Sequence, residues 1–161
     1  MTQILLTSFV TWAVGQTSNA ADDLLLEILQ NNPPPSLAFL RGLPVNLPVA
    51  KDLTIAKIQQ LQPQAVVLCG MAESRDRLSV ESNGVRGDRQ IYTAFDLPTL
   101  TADLPMTDIS ANAGRFVCNS LYYAILSAAY PCVFVHVPVL TMGNRRAIVS
   151  DFRQILDRLI R

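Results

Sequence analysis

The chain has 161 residues, half of them hydrophobic and only 16% charged, which excludes a disordered chain and provides for one ordinary core. Thirteen basic residues balance thirteen acidic ones, so nucleic acid is not expected as a partner. No segment approaches the uninterrupted apolar length of a membrane span, so no membrane partner is expected either.

The amino-terminal segment and the cysteines predict a cellular location. Residues 1–10 have no basic region and only a short apolar run, which predicts a first strand and not a signal peptide. Three widely spaced cysteines predict neither a disulfide framework nor a zinc site. We therefore expect a cytoplasmic protein with no metal and no cofactor.

Strands and helices are predicted to alternate along the chain. The predicted strands cover 4–8, 37–43, 65–69, 78–81 and 132–137, with a short one at Ile109. The first predicted helix begins at Ser18 or Asn19 and is stopped by residues 31–35. The other predicted helices cover 49–61, 117–129 and 146–160. Segment 82–107 has the weakest pattern. We expect one α/β domain over 1–161, with a mostly parallel twisted sheet and helices on both faces.

Ligands of such sheets bind where the strands end. If the strands run parallel, their carboxyl ends bring Phe9, Met71, Glu81, Cys118 and His136 into one neighbourhood. This edge of the sheet is therefore the expected place for chemistry.

A thiol and the only histidine of the chain can react together at this edge. Cys118 follows a small-residue turn and begins a predicted helix, whose free N–H groups lower a thiol pKa and can bind an oxyanion. His136 could take the thiol proton and later return it to a leaving amine. Glu81 is the best-placed carboxylate to orient the imidazole.

Each of these residues also has an ordinary structural explanation. A cysteine in an apolar helix is more often inert packing, as Cys69 and Cys132 are expected to be. A lone histidine on a strand is more often structural, and a lone glutamate is more often solvated or capping. A Cys/His pair found by scanning alone does not transfer between families.

Motifs occur in five ordered blocks that span almost the whole chain: residues 4–9, 41–45, 70–81, 109–119 and 135–138. The most specific of them contain Cys118-Asn119 and His136-Val137-Pro138. Together these blocks resemble the pyroglutamyl peptidase I (pyrrolidone-carboxyl peptidase) family of cysteine peptidases.

The resemblance implies a reaction and a role for each residue. Cys118 would be the nucleophile, His136 the general base and then acid, and Glu81 the orienting carboxylate. The substrates would be peptides with an N-terminal pyroglutamate (5-oxoproline), which Cys118 would attack to form a thioester acyl-enzyme. A phosphorylase/hydrolase-like fold is implied as well, and a homo-oligomer is left as an open expectation.

The resemblance also implies a substrate pocket that is largely apolar. Arg75 aligns with a family arginine and could support the oxyanion or the neighbouring loop. The expected pocket residues are Phe9, Trp12, Met71, Phe116 and Val117.

The chain departs from the family pattern in the loop 8–19, where a glycine and a proline are replaced. The family arginine that follows the glutamate could be Arg86 or Arg89. Two alternatives therefore stay open. One is a related hydrolase for another small N-acyl or lactam substrate, and the other is a ligand-binding homologue without turnover.

Overall fold

The computed structural model describes residue 1 and residues 3–161. Within these residues the strands are β1 (Ile4–Phe9), β2 (Leu37–Leu43), β3 (Ala65–Met71), β4 (Leu78–Glu81), β5 (Asn83–Arg86), β6 (Arg89–Tyr92), β7 (Thr107–Ser110) and β8 (Cys132–Val137). The helices are α1 (Ala20–Gln30), α2 (Leu47–Leu61), α3 (Leu97–Thr101), α4 (Val117–Ser127) and α5 (Arg145–Ile160). None of these helices is both long enough and apolar enough to cross a membrane.

The central sheet is mostly parallel, as the sequence predicted. Its spatial order is β2, β1, β3, β8, β4, β7, and β5 pairs with β6 in a separate hairpin. The first four strands in this order run parallel to one another, and β3 and β8 pair from Val66 to Met71. Strands β3 and β8 are buried along their whole length, as continuous apolar runs in a parallel sheet should be.

Strands β4 and β7 run against the other four. Strand β4 pairs antiparallel with β8, and β7 is parallel to β4. The condition that all strands run parallel therefore fails for β4 and β7, although Glu81 and His136 still meet. Residues 72–77, which link β3 to β4, are too few to return the chain to the opposite edge, since a parallel crossover needs about a dozen residues or more.

Helices cover both faces of the sheet, which confirms the predicted fold class. Side chains alternate along each strand, so Leu6 and Val67 pack against α1 and α5, whereas Leu5 and Leu68 pack on the side of α4. Helices α1 and α4 both begin at the edge of the sheet where β1, β3 and β8 end. Helix α1 is capped there by Asn19, whose side chain accepts a hydrogen bond from the N–H of Ala21.

Candidate active site

Cys118 lies in the first turn of α4 and faces the end of β3. The nearby backbone N–H groups of Asn119 and of Cys118 itself act to lower the pKa of its thiol. Gly70 of β3 allows this close approach, because a Cβ atom there would lie 3.3 Å from the Cβ of Cys118 and 3.1 Å from the Phe134 ring. The first turn of α4 is thereby held directly against the sheet.

Glu81 and His136 form a buried pair on neighbouring strands. Nδ1 of His136 lies 2.7 Å from Oε1 of Glu81, whose side chain has no exposed surface. The residue that pairs with His136 across the strands is Ser79, so Glu81 lies two residues further along β4 and on the same face. Glu81 therefore reaches the imidazole even though β4 runs in the unexpected direction.

Arg75 links Glu81 to the loop that precedes α4. Its Nη1 donates to Oε1 of Glu81 at 2.6 Å, and its Nη2 donates to the backbone oxygen of Asn112 at 2.7 Å. The guanidinium thus contacts the carboxylate of Glu81, and Arg75 does not line the cavity beside Cys118 that is described below. This position fits support of the neighbouring loop and not support of the oxyanion, the other role expected for Arg75.

The pKa values of Glu81 and Cys118 are shifted in opposite directions by their surroundings. Burial raises the pKa of Glu81, but the hydrogen bond from His136, the Ser110 hydroxyl and the nearby guanidinium of Arg75 together outweigh it, so the net pKa is lowered. Burial also raises the pKa of the Cys118 thiol, and the two backbone N–H groups only partly offset this. The N–H groups at the start of α4 thus act in the expected direction, but burial has the larger effect and the net pKa of the thiol is raised.

A small cavity of about 90 Å³ opens beside the sulfur of Cys118. It is far below the roughly 300–1,000 Å³ of pockets for drug-sized ligands, so it suits one small ring. All five residues predicted to form a pocket line it, together with Cys118 and His136. The complete lining is Phe9, Trp12, Asn19, Val45, Gly70, Met71, Phe116, Val117, Cys118 and His136.

Three residues of this lining are absent from the predicted set. Asn19 is 3% exposed, and besides its capping bond its Nδ2 makes only a long contact of 3.4 Å with the backbone oxygen of Val10. The sequence indicated Asn19 only as a possible first residue of a helix. Gly70 and Val45 lie in the matching blocks 70–81 and 41–45, but neither was predicted to line the pocket.

The altered loop that follows β1 is braced by one glutamine. Oε1 of Gln16 accepts hydrogen bonds from the backbone N–H groups of Trp12 and Ala13, and its Nε2 donates to Glu73. Trp12 is 43% exposed at the mouth of the cavity. Met71, in the wall, is held at the start of α1, since its sulfur accepts from the N–H of Ala20.

The fold and the sequence both match known pyrrolidone-carboxyl peptidases. No protein-family model matches the chain. It is 25% identical to the pyrrolidone-carboxylate peptidase of Thermoanaerobacter pseudethanolicus and 26% identical to pyrrolidone-carboxylate peptidase 1 of Caldanaerobacter subterraneus subsp. tengcongensis. Each match covers 86% of this chain and 83% of the relative.

A crystal structure of pyroglutamyl peptidase I from Bacillus amyloliquefaciens has the same fold. The two superpose with a TM-score of 0.83, covering 99% of this chain and 95% of the other at 15% identity. The fold class is therefore that of pyroglutamyl peptidase I. The resemblance to the pyrrolidone-carboxyl peptidase family that the sequence motifs indicated is confirmed.

Proposed function

We propose that this chain is a cysteine exopeptidase that removes N-terminal pyroglutamate from peptides. Cys118 is the nucleophile, His136 the general base and then acid, and Glu81 the carboxylate that orients the imidazole. The observation that carries the proposal is the small cavity lined by both Cys118 and His136, with His136 hydrogen-bonded to a buried Glu81.

The raised pKa of Cys118 and the orientation of His136 favour attack by a thiol that loses its proton during the reaction. Burial raises the pKa of Cys118, which favours the protonated thiol over the thiolate before the reaction begins. Nδ1 of His136 is held by Glu81, which leaves Nε2 to take that proton. The sulfur then bonds to the scissile carbonyl carbon, and the N–H groups of the first turn of α4 stabilise the oxyanion. His136 protonates the leaving amine, and water releases the acyl group from the thioester.

The cavity suits a pyroglutamyl ring in both size and polarity. The ring is small and uncharged, and most of the lining is apolar, with Phe9 and Met71 almost buried in its walls. Nδ2 of Asn19 is available to donate a hydrogen bond to the lactam carbonyl. Proline has no such carbonyl, so its binding would leave a buried polar group unpaired.

We also propose that the protein acts in the cytoplasm. Its three cysteines are free thiols, which suits a reducing compartment. Its substrates there would be peptides that carry an N-terminal pyroglutamate.

Hydrolysis of a pyroglutamyl aminocoumarin amide tests the proposed function. We expect turnover by the wild type and a loss of about a thousandfold or more in Cys118→Ala, since removing a catalytic nucleophile abolishes the acyl-enzyme route. Cys69→Ala is the matched control, because Cys69 is buried in β3 away from the cavity and should leave turnover intact.

Other outcomes separate the open alternatives. Turnover of alanyl or prolyl amides without turnover of the pyroglutamyl amide would reject the substrate and keep the nucleophile. Absence of turnover on all three amides, together with equal iodoacetamide reactivity of Cys118 and Cys69, would reject a hydrolase and favour a ligand-binding homologue.

A further inference from the structure

A second and much larger cavity adjoins the candidate active site. It has a volume of about 890 Å³ and lies between α2, α4 and the hairpin formed by β5 and β6. It lies within the range of pockets that hold whole ligands, whereas the cavity beside Cys118 has room for only one ring. We call this larger cavity the hairpin groove.

The hairpin groove begins where the small cavity ends. Arg115 lines the groove while Phe116, the next residue, lines the small cavity. In the first turn of α4, likewise, Cys118 lines the small cavity and Asn119 lines the groove. In the proposed reaction the pyroglutamyl ring fills the small cavity, so the leaving segment of the substrate must extend outside it.

The hairpin groove carries an excess of positive charge. Lys51, Arg86 and Arg115 line it, against a single carboxylate, Asp52. Among the described residues, none of these three cations forms an ion pair or donates a side-chain hydrogen bond. Their charges are therefore available to an anionic ligand.

The loop that carries Arg115 is held in place, although its guanidinium is free. The N–H of Gly114 donates to Oδ1 of Asn112 at 3.1 Å, and Arg75 holds the backbone oxygen of Asn112. A cation on a fixed loop loses less conformational freedom on binding than one on a mobile segment. Arg115 is therefore prepared to bind a carboxylate close to the reacting sulfur.

We propose that the hairpin groove binds the leaving segment of short substrates and that Arg115 binds its free α-carboxylate. This inference rests on the proposed function and specifies its substrates as pyroglutamyl dipeptides and tripeptides with a free carboxyl terminus. Three Cα–Cα steps of about 3.8 Å place Arg115 within about 11 Å of Cys118, and a leaving segment of one or two residues spans about 3.5–7 Å. The long arginine side chain covers the remainder, and its planar fork matches a carboxylate.

The test compares substrates that differ only in their terminal charge. For pyroglutamyl-alanine and pyroglutamyl-alanine amide, kcat/KM is measured in wild type, Arg115→Gln, Arg115→Lys and Arg146→Gln. We expect the wild type to prefer the free acid by about fivefold, the size of an exposed ion pair. The preference should disappear in Arg115→Gln, persist in part in Arg115→Lys, and fall as salt is added to the wild type. Arg146 is an exposed arginine on α5 outside the groove, so Arg146→Gln should behave as the wild type.

The possible failures are distinguishable. Turnover of both substrates with no preference for the free acid, or with a preference that survives in Arg115→Gln, would overturn this inference and leave the proposed function intact. Turnover of neither substrate would overturn the proposed function and this inference with it. A preference of the wild type that does not change with salt would also overturn this inference, and that measurement does not depend on the folding of any variant.

Discussion

Glu81 joins three segments of the chain through one carboxylate oxygen. Its Oε1 accepts from His136 on β8 and from Arg75 in the loop before β4, and Arg75 continues to Asn112 before α4. A charge with no exposed surface is costly unless it is paired in this way. The same contacts that orient the imidazole therefore also contribute to stability.

The lowered pKa of Glu81 makes this contribution depend on pH. A carboxyl group whose folded-state pKa lies below its unfolded value of 4.5 stabilises the fold above that value and loses the effect as the pH falls through the folded-state pKa. We expect Glu81→Gln to lower the free energy of unfolding at pH 7 by about 2–3 kcal/mol. This is less than for a fully buried pair, because Arg75 is 25% exposed. The difference from wild type should shrink between pH 5 and pH 3, since protonated Glu81 resembles glutamine.

Urea unfolding at pH 7, 5 and 3 measures this difference. Asp52→Asn is the control, because Asp52 is exposed and forms no ion pair among the described residues, so its effect should stay small at every pH. A cost of Glu81→Gln that grows on acidification would contradict the lowered pKa.

The elements that the sequence predicted well are those whose burial leaves a pattern in the chain. Strands β3 and β8 are continuous apolar runs, and α5 places Ile148, Phe152 and Ile155 on one buried face. The hairpin of β5 and β6 was missed, because β6 is largely exposed and the two strands pair only with each other. The direction of β4 was missed although the sequence shows how short the connection 72–77 is, and that length excludes a parallel crossover.

The location of the candidate site could be predicted from the sequence, but not the environment of its residues. The motif blocks and the loop 8–19 indicated Cys118, His136 and five pocket residues, and all seven line one cavity, together with Asn19, Val45 and Gly70. The direction of the Cys118 pKa depends on how deeply α4 packs onto the sheet, which no local pattern reports. Likewise, the link from Arg75 to Asn112 joins segments far apart in sequence.

Helix α4 is held between the sheet and the hairpin, with Gly84 of β5 against its backbone. A Cβ atom at Gly84 would lie 2.8 Å from the backbone nitrogen of Tyr123 and 2.9 Å from its Cα. Asn119 adds a reciprocal pair of hydrogen bonds with the backbone of Val85, each 3.0 Å long. The hairpin therefore fixes the helix whose first turn carries Cys118.

We expect Gly84→Ala to destabilise the protein by about 1–3 kcal/mol, because the added methyl group meets backbone atoms that cannot turn aside. Thermal unfolding measures the effect. Gly143→Ala is the matched control, since the nearest atom to its added methyl lies 3.7 Å away and its cost should stay within about 0.5 kcal/mol. Equal stability of the two variants would show that α4 and the hairpin are not closely packed.

Across the whole molecule, the three free thiols lie at different depths. Cys69 and Cys132 are buried on the adjacent central strands β3 and β8, and burial raises the pKa of both. Cys118 is only partly buried and opens onto the small cavity. Cys69 and Cys132 lie on opposite faces of the sheet, so both become reactive only when the layers on both faces separate.

Iodoacetamide labelling followed by mass spectrometry uses this difference to test whether the chain unfolds as one domain. We expect one adduct, at Cys118, in the folded protein and three in urea. In low urea, Cys69 and Cys132 should become labelled at equal rates, because β3 and β8 pair along their length and expose both thiols in the same global unfolding event. If Cys132 were labelled well before Cys69, either β8 or the layer that contains α4 would be opening first, and the chain would not be a single cooperative unit.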